Sequence, residues 1–101
     1  MKPLEEVKEW VSKRNSFYLF LPDGPYGSPF DNQYLVKTVN LTDRGLEIKF
    51  SDGLSLFYTG EPDVVDEGCN LMISNYNLCK FRVHNQLLKS FDYGEVVLNG
   101  F

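Results

Sequence analysis

Residues 46–59, LEIKFSDGLSLFYT, hold two short runs of alternating polarity on either side of Asp52-Gly53. Leu46, Ile48 and Phe50 fall on one face of the first run, and Glu47 and Lys49 on the other. That period of two is the pattern of a half-buried strand. Asp-Gly suits the centre of a two-residue hairpin turn of type I′, where both central residues take positive φ. The pattern therefore predicts an antiparallel hairpin here, and the sequence around it must supply the rest of a sheet.

Only the first fifteen residues carry a helical period. Leu4, Val7 and Val11 recur at helical spacing with Trp10 beside them, which predicts a helix over about residues 3–14. Pro3 suits the first turn, where its missing N–H costs nothing. Glu5 and Glu6 complement the positive end of the helix dipole, and Lys13 and Arg14 the negative end. Trp10 is expected to dock the helix on the sheet.

Further strand-like runs follow at short spacings. FYLFL (17–21), QYLVKTVNL (33–41), NLMIS (70–74), LCKFRVH (78–84) and FDYGEVVL (91–98) read as strands, the last with a bulge at Gly94. GEPDVVDEG reads as a connector, and NQLLKS as a turn or a single helical turn. The expected fold is mainly β (α+β) and occupies residues 1–101 as one domain. One N-terminal helix packs on a curled antiparallel sheet, or a small partly open barrel, of about six or seven strands between residues 17 and 98. The aromatic share, 15%, favours such a β-rich core.

Charge narrows the class of partner. The net charge is −4, and the segment 61–67, EPDVVDE, holds four acids and no base, so it alone matches the whole excess. No basic stripe of the kind that neutralises phosphates runs through the sequence, so nucleic acid is not an expected partner. No apolar run approaches the roughly 20 residues of a membrane span. The opening MKPLEEVKEW is acidic and helical where a signal peptide would be apolar, which points to the cytoplasm. Cys69 and Cys79 are then expected as reduced thiols, and with one histidine, His84, they make no metal-ligand set. No cofactor is implied.

Two surfaces stand out as candidate sites. The loop LPDGPYGSPFDN (21–32) carries three prolines, which remove backbone donors, and two aspartates, which repel anions. It is therefore no phosphate cradle. A loop so stiffened can hold Tyr26 and Phe30 as a lip, with Asp31 and Asn32 as polar contacts, or it can tuck both rings over the core edge. The second surface is the outward row Lys80, Arg82 and His84 on strand 78–84. Its plain reading is a solvated strand face with cross-strand pairs to Glu47 or Glu95.

No hydrolytic set emerges. There is no GxSxG elbow, and Cys79 falls on the opposite strand face from His84. No catalytic residue is assigned. Residues GPYGSPFDN and the strand-rich body resemble those of many small bacterial domains. The expected function is a small non-enzymatic binding or interaction protein, of regulatory or immunity type, with a protein partner and a homodimer as a further expectation. The alternative is a small-ligand binder using a barrel mouth rimmed by the 21–32 loop, and behind it a small hydrolase.

Overall fold

The computed structural model describes residues 2–14, 16–26 and 33–100. One helix, α1 (Lys2–Ser12), precedes ten strand segments. They are β1 (Phe17–Leu21), the two-residue β2 (Gly24–Pro25), β3 (Val36–Thr42), β4 (Gly45–Phe50), β5 (Leu54–Thr59), β6 (Asp63–Glu67), β7 (Asn70–Ser74), β8 (Leu78–Val83), β9 (Gln86–Phe91) and β10 (Val96–Gly100). They form two antiparallel five-stranded sheets, ordered β2-β1-β10-β7-β6 and β3-β4-β5-β8-β9. We call these the first and second sheets. The single curled sheet or barrel expected from the sequence is thus replaced by two sheets, neither of them closed.

The expected hairpin is β4–β5, paired from Lys49↔Ser55 to Leu46↔Tyr58. Asp52 has φ 62° and Gly53 φ 75°, and the Leu54 N–H donates to the Ser51 carbonyl, which is the geometry of a type I′ turn. A second turn of this kind joins β8 to β9. His84 and Asn85 both have positive φ, 50° and 67°, between paired Val83 and Gln86. Without a glycine it lacks the usual signature, and of NQLLKS, expected as a turn or a single helical turn, Asn85 completes the turn while residues 86–90 belong to strand β9. His84 accordingly leaves the strand row in which the sequence placed it.

The acidic connector 61–67 contains a strand, β6, at the edge of the first sheet. Asp63, Asp66 and Glu67 are exposed there. Charge on an edge strand opposes edge-to-edge pairing with another chain, so the acids suit a strand with one neighbour. The run 33–41 begins pairing in its own sheet only at Val36, because Tyr34 bridges instead to Phe17 of β1. The last strand starts at Val96. Phe91 ends β9, and Gly94, with φ 77°, lies in the connector between the two rather than in a bulge. The helix ends at Ser12, where the Lys13 and Arg14 N–H groups turn back to the Trp10 and Val11 carbonyls three residues behind.

Both sheets and the helix contribute to one core. Leu19, Leu71, Ile73 and Leu98 from the first sheet join Ile48, Leu56, Tyr58 and Phe81 from the second. Helix α1 packs on the edge strands β3 and β6, one from each sheet. Its Val7 and Trp10 are buried. The Trp10 Nε1–H donates to the Gly68 carbonyl at 2.9 Å, and its ring meets Phe17 at 5.3 Å. The Arg14 guanidinium lies 4.5 Å above the indole and also donates to the Gly68 carbonyl. Gly100 gives the indole room, since a Cβ there would come within 2.8 Å of it.

The cysteines occupy opposite environments. Cys69 is exposed in the β6–β7 turn, whereas Cys79 is buried beside Tyr58, and neither is in a disulfide. Burial pushes the Cys79 thiol up to about 12, and burial also raises the Tyr58 hydroxyl well above its ordinary value. In the unfolded chain Cys79 ionises near 9.0, so the folded state holds its proton where the unfolded state has lost it. The stability this contributes is complete below pH 9 and is lost as pH rises towards about 12. Denaturation midpoints should therefore fall over that window. A thiol reagent at neutral pH should label Cys69 quickly and Cys79 only as the chain opens. Equal labelling rates would contradict the burial of Cys79.

Candidate functional site

The second sheet turns one face to the core and the other to solvent, and strand register fixes what the outer face presents. Thr38, Lys49, Ser55, Arg82 and Leu87 stand opposite one another across all five strands. The next row is Asn40, Glu47, Phe57, Lys80 and Ser90. Alternation requires this arrangement, because their sequence neighbours Val39, Ile48, Leu56 and Phe81 are in the core.

Two register shifts modify the face. Between Val36 and Thr38 the β3–β4 ladder skips, leaving Lys37 as an extra residue. A bulge of this kind re-aims side chains, and Lys37 joins Thr38 at the rim of a concavity. Between Phe81 and Arg82 the β8–β9 ladder skips as well, leaving Leu88 extra beside Leu87. Both leucines are more than half exposed, at 52% and 55%. Leu87 ends the Lys49–Arg82 row, and Leu88 beside it adds to an apolar margin on edge strand β9.

The concavity has a volume of about 400 Å³ and gathers Lys37, Lys49, Arg82 and His84 with Thr38 and Ser55. Glu47 is the acid of this lining, and its carboxylate lies 3.8 Å from the Lys49 Nζ. Among the described residues no acid pairs with Lys37, Lys80 or Arg82. His84 is placed by the two turns together. Its N–H donates to the Gly53 carbonyl at 2.9 Å, and its ring covers the Gly53 Cα so closely that a Cβ there would overlap it. Glycine at position 53 thus serves both the turn and the seat of the imidazole.

Of the second candidate surface, Arg82 and His84 meet in this concavity, while Lys80 stands one row away beside Phe57. The sequence reading missed Lys37, Lys49, Thr38 and Ser55. The alternation of β4 and β5 already turned Lys49 and Ser55 outward, but only the strand order makes them neighbours of Arg82. The exit of Lys37 depends on a bulge with no sequence signature.

The first candidate surface is described only at Tyr26, since Phe30, Asp31 and Asn32 lie outside the described residues. Tyr26 is half-buried against the core. Its ring stands edge-on to Phe81 at 4.7 Å and tilted to Tyr34 at 6.5 Å. It also borders a pocket of about 410 Å³ with Val83, Leu87 and Leu88. The preceding turn is tied to β9 by an ion pair, 2.6 Å, between Asp23 and Lys89.

A third surface is the outer face of the first sheet. Phe20, Val97, Met72 and Val65 are cross-strand neighbours and form an apolar row, next to a polar row of Tyr18, Asn99, Asn70 and Glu67. The Asn99 side-chain Nδ2 donates to the Asn70 side-chain Oδ1 at 2.7 Å within it.

Among the described residues no three His, Cys, Asp or Glu side chains are grouped to hold a metal ion, and no helix is long and apolar enough to cross a membrane. No family model, curated protein or solved structure matches the chain.

Proposed function

We propose that this chain is a non-enzymatic interaction module that docks an acidic protein partner on the outer face of its second sheet. The observation that carries the reading is the convergence of Lys37, Lys49, Arg82 and His84 on one concavity of a protein whose net charge is −4. Lys37 and Arg82, without an acidic partner among the described residues, are placed for a partner's carboxylates and not for the stability of their own fold. Leu87 and Leu88 at the β9 margin add apolar contact area, so the surface combines an anchor with a charged field. The acidic β6 edge, on the other sheet, keeps like-charged chains from pairing there. A cytoplasmic location, where Cys69 and Cys79 stay reduced, belongs to the same reading.

A labelled hexaglutamate peptide tests it by fluorescence anisotropy. Binding is expected at low salt and should weaken at least about tenfold between roughly 20 and 300 mM salt, as exposed charges are screened. Absence of binding at low salt, or binding indifferent to salt, would overturn the proposal.

A second reading is favoured by the pocket beside Tyr26. A small apolar ligand held by Tyr26, Val83, Leu87 and Leu88 would bury the two exposed leucines. Such binding would strengthen, not weaken, with added salt, so the same salt series separates the two.

A further inference from the structure

Resting on the docking reading above, we propose that the concavity between Lys37, Lys49, Arg82 and His84 is a binding site for a phosphate monoester. The backbone, not chance rotamers, brings its donors together. Lys49, Ser55 and Arg82 are consecutive cross-strand neighbours on the central strands β4, β5 and β8, so their spacing is fixed by the ladder. The β3 bulge brings Lys37 to the rim beside Thr38, and the two positive-φ turns seat the His84 ring over Gly53 at the opposite end.

The donor set matches a dianion with three exposed oxygens better than a single carboxylate. Arg82 offers a planar fork suited to two oxygens at once, and Lys37 adds a compact charge. The Thr38 and Ser55 hydroxyls are neutral donors beside them. Glu47 is the one opposing charge in the lining, and its ion pair with Lys49 partly offsets it. At about 400 Å³ the concavity has room for more than a phosphate group, so part of the molecule carrying the ester enters as well.

The test is an amide chemical-shift titration of the full chain at constant ionic strength, set by chloride. Its arms are inorganic phosphate, glucose 6-phosphate and a phosphoserine pentapeptide, with the serine pentapeptide as control. Saturable shifts are expected at Lys37, Lys49, Ser55, Arg82 and His84, with inorganic phosphate dissociating at about 1–10 mM, the strength of a few charge-assisted hydrogen bonds. Arg82→Gln should weaken each phosphate arm about tenfold or more while the Trp10 indole resonance stays in place. A phosphoserine peptide that binds tighter than glucose 6-phosphate puts the ester on a partner protein, and the reverse order puts it on a small metabolite. No saturable shift in any phosphate arm would overturn the site. So would shifts spread evenly over all lysines, or an Arg82→Gln variant that binds unchanged. If hexaglutamate binds but phosphate does not, the docking reading stands and the phosphate site alone is lost.

Discussion

Trp10→Ala is expected to lower folding stability by about 3–5 kcal/mol, the range for truncating a buried aromatic. For a domain whose total is about 5–15 kcal/mol this removes a large share. The indole is 1% exposed and joins three parts of the molecule. It meets Phe17 of β1, covers Gly100 of β10, and donates to the Gly68 carbonyl in the β6–β7 turn. Its loss also strips the platform under the Arg14 guanidinium. Trp10→Phe keeps much of the apolar area and loses the N–H donor, so it should cost less, about 1–2 kcal/mol. Urea denaturation of both variants checks the pair. A loss below about 1 kcal/mol for Trp10→Ala would mean that the indole does not anchor the helix to the first sheet.

Gly45→Ala should be at least as damaging, by about 3 kcal/mol or more, for a purely backbone reason. Gly45 opens β4 with φ 153°, and its missing side chain faces the next strand. A Cβ there would overlap the Tyr58 carbonyl oxygen and lie 2.9 Å from the carbonyl carbon. No rotamer change relieves a clash between Cβ and a neighbouring main chain, so β4 and β5 must separate locally. Gly68→Ala is the control. Its φ is also positive, 74°, but a Cβ would meet nothing within 4 Å. It should cost only the conformational term, about 1–2 kcal/mol. Equal losses at the two positions would contradict the close approach of β4 and β5.

These two sites also mark what could be read from the sequence. The helix around Val7 and Trp10, strand 17–21, the Asp52-Gly53 turn and strands 54–59 and 70–74 follow from periodicity and turn chemistry, which are local. What was not legible is non-local or lacks a signature. Strand β6 is acidic on an exposed edge, so its sequence, DVVDE, shows no buried face to alternate with. Strand β9 follows a His-Asn turn and begins with residues exposed on both faces, Gln86, Leu87 and Leu88. Both are edge strands, one in each sheet, and the division into two sheets comes from pairing order, with β10 between β1 and β7 and β8 beside β5, which no local pattern encodes. The candidate site follows the same rule. Arg82 and His84 lie in one segment of sequence, but Lys49 and Ser55 become their neighbours only through the order β4-β5-β8.

The measurement that bears most directly on the central claim is a comparison of charge reversals on two faces of the protein. Lys49→Glu with Arg82→Glu changes the outer face of the second sheet, and Lys8→Glu with Lys13→Glu makes the same net change at exposed positions in the helix and just past its end. Each pair is titrated with labelled hexaglutamate at low salt, after thermal denaturation confirms a cooperative fold. If the sheet face is the docking surface, the first pair should weaken binding at least about thirtyfold, roughly 2 kcal/mol, and the second no more than about threefold. Equal weakening by both pairs would show attraction to the molecule as a whole, and would contradict a docking surface built by Lys37, Lys49, Arg82 and His84.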